Sequence, residues 1–208
     1  MSGILLSQKN VAGCHVGHNP TFCTRMAGGA PTRFTTFALS ALLPKRKTNA
    51  SHPMFDRTHP GFVDFIRESN RIEGILRDPT EDEIAAHEQL LGLVQLTPAT
   101  VGDFQAVMAP GMPIRRHEGM DVRVGNHIAP EGGPSIVRQL QHILDKVNRA
   151  SDGPWSVHVA FETLHPYMDG NGRTGRAIWA WQMRGLGHDP FALPFLHRFY
   201  YQTLDASR

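Results

Sequence analysis

The stretch His165-Pro166-Tyr167-Met168-Asp169-Gly170-Asn171-Gly172-Arg173-Thr174-Gly175-Arg176 decides how this chain is read. It gathers a possible base, an acid, three turn-forming residues and two arginines between two helical segments, Trp155 to Leu164 before it and Thr174 to Met183 after it. Gly170, Asn171 and Gly172 tolerate left-handed or tight backbone, so their N–H groups can turn inward at the start of the second helix. A helix start carries unpaired donors and the positive end of the dipole, which together favour an anion. Arg173 and Arg176 lie three positions apart and lean toward the same place. Two cations at an already electropositive helix start conflict unless an anion joins them. Asp169 would repel that anion unless a hard cation such as Mg2+ bridged the two through oxygen. Taken singly, Gly-Asn-Gly is an ordinary turn and paired arginines often meet only solvent. In this order and spacing they read as a nucleotide polyphosphate site with His165 beside it.

The same twelve residues resemble the Fic-domain signature, His-Pro-Phe-x-Asp/Glu-Gly-Asn-Gly-Arg-x-x-Arg, with Tyr167 where Phe is usual and an aromatic ring retained. Val122-Arg123-Val124-Gly125-Asn126-His127-Ile128-Ala129-Pro130 is similar to the family's target-binding flap. Ser69-Asn70-Arg71-Ile72-Glu73-Gly74 is similar to its inhibitory motif, Ser/Thr-x-x-x-Glu-Gly/Asn. The resemblance implies an all-α domain of Fic type with one small β-hairpin. The activity it implies is protein adenylylation (AMPylation), the transfer of AMP from ATP to a Ser, Thr or Tyr hydroxyl of a protein. His165 would serve as base, and Asn171 with the Gly170–Gly172 N–H groups as donors to the α-phosphate. Asp169 would carry Mg2+, and Arg173 and Arg176 would meet the leaving pyrophosphate within an ATP site that also takes in Thr174 and Gly175. Tyr201 resembles an adenine-side tyrosine. Ser69, Glu73 and Gly74 would form the inhibitory element, with Glu73 competing for Arg176. Val122, Arg123, Val124 and Gly125 would pair with the backbone of a protein substrate, this chain included, and a homo-oligomer is compatible with that. The same site could instead remove AMP, or an idle version could serve as a binding module.

Composition agrees with this frame. The 208 residues, 40% hydrophobic, suffice for one buried domain and a tail. A net charge of +2 gives no argument for nucleic acid or membrane. Residues 1–55 hold Lys9, Arg25, Arg33, Lys45, Arg46 and Lys47 and no acid, and their Gly/Ser/Thr/Asn-rich composition reads as a disordered basic tail. The domain is then 56–208. The tail's composition is also that of an organelle transit peptide, and an extension upstream of Met54 fits equally well. Cys14 and Cys23 imply no disulfide framework, so a reducing, cytoplasmic setting is expected; with His15 and His18 their spacing matches no standard zinc pattern. The apolar run Phe37 to Leu43 is too short to span a bilayer.

Within the domain, Pro60 opens a helix carrying Phe62, Phe65, Ile66 and Ile72, which Gly74 ends. Thr80 and Glu83 form a capping box for a helix that buries Ile84, His87, Leu90, Leu91 and Val94, with His87 as a packed core residue. A third helix runs from Thr97-Pro98 through Phe104 and Val107. Val122 and Val124 alternate with Arg123 in a hairpin. Ser135 to Asn148 places Ile136, Leu140, Ile143, Leu144 and Val147 on one stripe, and a short helix from Phe199 to Leu204 closes the chain.

Overall fold

The computed structural model describes residue 55, residues 57–192 and residues 200–208. The basic tail, its two cysteines and Phe199 lie outside them. Among the described residues seven helices follow in order, α1 (Phe62–Ile72), α2 (Glu81–Gly92), α3 (Pro98–Met108), α4 (Pro134–Arg149), α5 (Pro154–Leu164), α6 (Asn171–Gly185) and α7 (Tyr200–Ser207). The hairpin β1 (Arg123–Val124) and β2 (His127–Ile128) interrupts them between α3 and α4. The fold is mostly α, as expected.

Helix α6 is the axis of the domain and packs against α1, α2, α3 and α5. It buries residues on nearly every side, from Asn171 and Arg173 through Ile178 to Trp181 and Gln182, the pattern of a helix inside a core. Its small residues allow close approach: a methyl group at Gly175 would overlap Glu162 Oε1 and press on Phe161 of α5. The core around it joins Phe62, Phe65 and Ile66 of α1 to Leu90 and Leu91 of α2, Phe104 of α3, Leu140 and Leu144 of α4 and Phe161 of α5. The stripe expected on α4 is buried at all five positions.

Thr80 accepts from the Glu83 N–H at 3.2 Å while Glu83 accepts from the Thr80 N–H at 2.9 Å, so the capping box forms. His87 lies edge-on between Phe65 and Phe104, and burial lowers its pKa to about 4. Val94 departs from expectation, being exposed rather than buried: Gly92 ends α2 and the chain turns extended at Leu93, so the helical spacing that placed Val94 inward no longer holds. Helix α6 begins three residues earlier than propensity suggests, at Asn171, because side-chain contacts described below fix that poor helix-forming start. No helix among the described residues is long and apolar enough to cross a membrane.

Candidate active site

Helix α5 ends at His165, whose φ of 48° and ψ of 63° put it in the left-handed region, uncommon for a residue with a Cβ. Arg115 holds it there. Its guanidinium is 0% exposed and donates to four backbone carbonyls, His165 at 2.7 Å, Leu164 at 2.8 Å, Pro130 at 2.7 Å and Met120 at 3.1 Å. The last carbonyls of a helix have no partners within it and favour a cation, and Arg115 supplies both donors and charge. The same side chain ties the root of the flap to the end of α5. His127 adds a second tie, Nε2 to the Thr163 carbonyl at 2.9 Å. Neither contact has a sequence signature, since Arg115 stands in a loop beside Arg116 with nothing local to single it out. The His165 imidazole is largely buried, and burial depresses its pKa to about 4, so at neutral pH it is uncharged and can accept a proton.

Segment 113–115 braces the following loop, with the Arg115 N–H donating to the Pro166 carbonyl at 2.9 Å and the Met168 N–H to the Pro113 carbonyl at 3.0 Å. Asn171, 1% exposed, closes the loop from inside: Oδ1 accepts from the Tyr167 N–H at 2.9 Å and Nδ2 donates to the Tyr167 carbonyl at 2.8 Å. Its amide therefore holds the loop on both of its polar atoms. The Gly170 N–H is likewise occupied, by Asp169 Oδ1 at 2.6 Å. The donors left at the α6 start are those that follow. No side chain caps this helix, and Gly170, at φ 78°, supplies the left-handed residue that starts it.

A carboxylate already sits at that start. A methyl group at Gly172 would overlap Glu73 Oε1 and approach Arg176 Nη1 to 3.0 Å, so only glycine leaves room for the Glu73 carboxylate. Arg176 is fully buried; Nη2 donates to Glu73 Oε1 at 2.6 Å and to the Ser69 carbonyl at 2.9 Å, and Nε to Ser69 Oγ at 2.8 Å. Its guanidinium also lies 4.9 Å from the Tyr200 ring centroid. Burial alone would lower its pKa; its surroundings, with the hydrogen-bonded Glu73 carboxylate among them, outweigh that and raise it. Ser69 and Glu73 thus act from one face of α1, as their spacing implies. Gly74 shapes the delivery: at φ 76° it ends α1, its N–H bonding the Arg71 carbonyl at 2.9 Å and the Ile75 N–H the Asn70 carbonyl at 3.0 Å. That double closure is a Schellman stop, and it fixes where Glu73 leaves the helix.

The other arginine is held from α2. Arg173 Nη1 is 3.8 Å from Glu83 Oε1, and Glu83 also takes a fork from Arg77 at 2.7 and 2.8 Å. Burial pushes the Glu83 pKa up, yet Arg77, the Thr80 N–H and Asn70 bring it down to about 2. Arg173 Nε and Arg176 Nη1 are buried without a hydrogen-bond partner, which leaves spare donors for an anion. Asp169 is exposed at the loop's edge. Among the described residues no group of three or more His, Cys, Asp or Glu side chains could hold a metal unaided. Mg2+ fits here only as an ion shared with bound phosphates, which is its usual mode.

Two residues that the resemblance assigns to the ATP site pack inside the domain. Gly175 faces α5, and Thr174 is fully buried. Tyr201, partly exposed, sends its hydroxyl to the Ile72 carbonyl at 3.2 Å and to Glu73 Oε2 at 3.4 Å, so it meets the carboxylate of the α1 motif. The flap forms as read, with Arg123 opposite Ile128 and Val124 opposite His127. Val122 lies just outside the strand, its carbonyl accepting from the Ala129 N–H at 3.3 Å. Gly125 has φ 58° and Asn126 is not among the positive-φ residues, the pattern of a II′ turn.

Comparison with known proteins agrees with the geometry. Residues 78–183 match the model of the Fic/DOC family. The chain is 28% identical over 127 residues to the protein adenylyltransferase Fic of Drosophila virilis, across 58% of this chain and 23% of that protein. It is similar to the protein adenylyltransferase Fic of Drosophila mojavensis at the same identity, across 58% of this chain and 22% of that one. The matched region thus spans less than a quarter of each relative. With just over half its residues matched to the family model and the twelve-residue loop folded as described, the chain belongs to the Fic/DOC family.

Proposed function

We propose that this protein transfers AMP from ATP to a hydroxyl side chain of a protein, with Mg2+, and that Glu73 holds the reaction off. The observation that carries this reading is the Glu73 carboxylate seated at the start of α6 against Gly172 and Arg176. A cradle that accepts a carboxylate there offers an uncapped helix start and two buried arginines, the recognition set for phosphate. The similarity to two protein adenylyltransferases supports the same chemistry.

In the reaction, the incoming hydroxyl oxygen forms a bond to the α-phosphorus as its proton passes to His165 Nε2. The bond from the α-phosphorus to the bridging oxygen breaks, and pyrophosphate leaves toward Arg173 and Arg176. N–H groups at the α6 start oppose the charge that develops on the α-phosphate, a kind of preorganised stabilisation in which one lost donor costs about 3–4 kcal/mol of barrier. Asn171 and Arg115 contribute by holding the loop and His165 still. Asp169 would hold Mg2+, which when bound neutralises phosphate charge. The flap offers strand edges to the protein substrate's backbone. Glu73 competes with the outer phosphates for Arg176, so ATP binds productively once that carboxylate is displaced.

The reaction type is tested with the Glu73→Gly protein, Mg2+ and ATP labelled in either the α or the γ position. Label incorporated into protein from the α position alone supports the proposal. Label from the γ position, or from neither, contradicts it.

A further inference from the structure

The mechanism leaves one buried acid unused. Glu162 sits on α5 one turn before His165 and is 3% exposed. Its Oε2 lies 3.8 Å from His165 Nδ1, while its Oε1 and that same Nδ1 are both buried without a hydrogen-bond partner. A carboxyl group removed from water without a partner is unfavourable, and burial drives its pKa up to about 7. The fold nevertheless makes room for it: Gly175 is the residue whose methyl group would strike Glu162 Oε1 and press on Phe161 and His158. Glycine at that position leaves space for a carboxyl group behind the histidine.

We infer that Glu162 is the positioning residue of His165, taking the Nδ1–H hydrogen bond when the two close the remaining gap. That bond fixes the tautomer in which Nε2 is bare and faces the attacking hydroxyl. It also stabilises the imidazolium formed when Nε2 takes the hydroxyl proton, while the Nδ1 proton stays on the ring throughout. The logic is that of a carboxylate behind a catalytic histidine, where the acid orients the ring without accepting its proton. The backbone carbonyl of Glu162 also lies near the ring and offsets part of the effect of burial on His165. It is the rival acceptor, and the test separates the two.

This inference rests on the adenylylation reading for its kinetic arm only. In the Glu73→Gly background, Glu162→Gln is expected to lower the saturating rate of α-label incorporation at least tenfold. The half-saturating ATP concentration should stay within about twofold, because Glu162 touches no phosphate donor. The second arm needs no activity. Nitrogen NMR of histidine-labelled full chain, with His165 assigned by difference against His165→Gln, should show Nδ1–H at neutral pH in the parent. A shift toward Nε2–H is expected in Glu162→Gln and in Glu162→Ala, with thermal unfolding of the Gln variant within a few degrees of the parent. An unchanged tautomer in both variants assigns the ring to the backbone carbonyl and overturns the inference even if AMP transfer holds. A changed tautomer with no α-label transfer by the Glu73→Gly protein supports Glu162 as positioning residue while refuting adenylylation.

Discussion

The two ends of the motif are held in different ways. At the His165 end the contacts are to backbone, with Arg115 on four carbonyls and Asn171 on both polar groups of Tyr167, and both side chains are essentially inaccessible. At the Arg176 end the decisive contact is an ion pair, and its acidic partner Glu73 keeps 28% of its side chain exposed. Backbone carbonyls cannot leave; a carboxylate on the last turn of a helix can. On the proposed function, one end is built to stay fixed and the other to exchange one anion for another. That difference would let a single loop carry both the chemistry and its restraint.

The comparison breaks most visibly at Arg115. Removing its guanidinium strands two buried and two half-buried carbonyls, and an unsatisfied buried acceptor costs about 1–3 kcal/mol each. Arg115→Met is therefore expected to lose about 3 kcal/mol or more of unfolding free energy, read from the urea midpoint. Glu73→Gln, at the other end, should move that midpoint by less than 1 kcal/mol, because a partly exposed ion pair contributes about that or less. Comparable losses in both variants would erase the distinction.

Acid sharpens it. Burial lowers the pKa of His87 and His165 to about 4 and that of His158 to about 3. The unfolded chain binds those protons near 6.5, so stability is present above that pH and is lost as pH falls toward 4, at about 1.4 kcal/mol per unit of lowered pKa. Glu162, raised by burial, acts in the opposite sense between about 7 and 4.5, and one such group offsets only part of three. Urea midpoints should fall from pH 7 to pH 4, and a midpoint that rises over this range contradicts the buried-neutral assignment.

The smallest effect on label incorporation belongs to Gly74. Nothing lies within 4 Å of a methyl group built there, so only its left-handed backbone requires glycine. Gly74→Ala should cost about 1 kcal/mol in unfolding free energy and loosen the α1 stop that aims Glu73. Label incorporation should then rise modestly above the parent, and a fall would count against the aiming role.

Much of this was readable beforehand where periodicity or local chemistry speaks. The α4 stripe, the Thr80–Glu83 box and the left-handed Gly74 each depend on residues close in sequence, and each formed as read. The contact of Glu73 with Arg176 follows the family resemblance, and helical spacing puts Ser69 on the same face. What escaped the sequence depends on distant partners. Three of the four carbonyls Arg115 finds are fifteen or about fifty positions away, and Glu162 looks like any acid on a helix. Tyr201 meets Glu73 only because α7 returns alongside α1. Asn171 and Gly170 were read as free donors, and the loop engages both internally.

The central claim is that Glu73 and the ATP phosphates compete for Arg176. Its most direct measurement is the rate of α-label incorporation at saturating ATP and Mg2+, parent and Glu73→Gly side by side, with Glu73→Gly/His165→Ala as the control. At least a tenfold higher rate is expected for Glu73→Gly, and none above background for the double variant. Equal rates in the parent and Glu73→Gly proteins would contradict it.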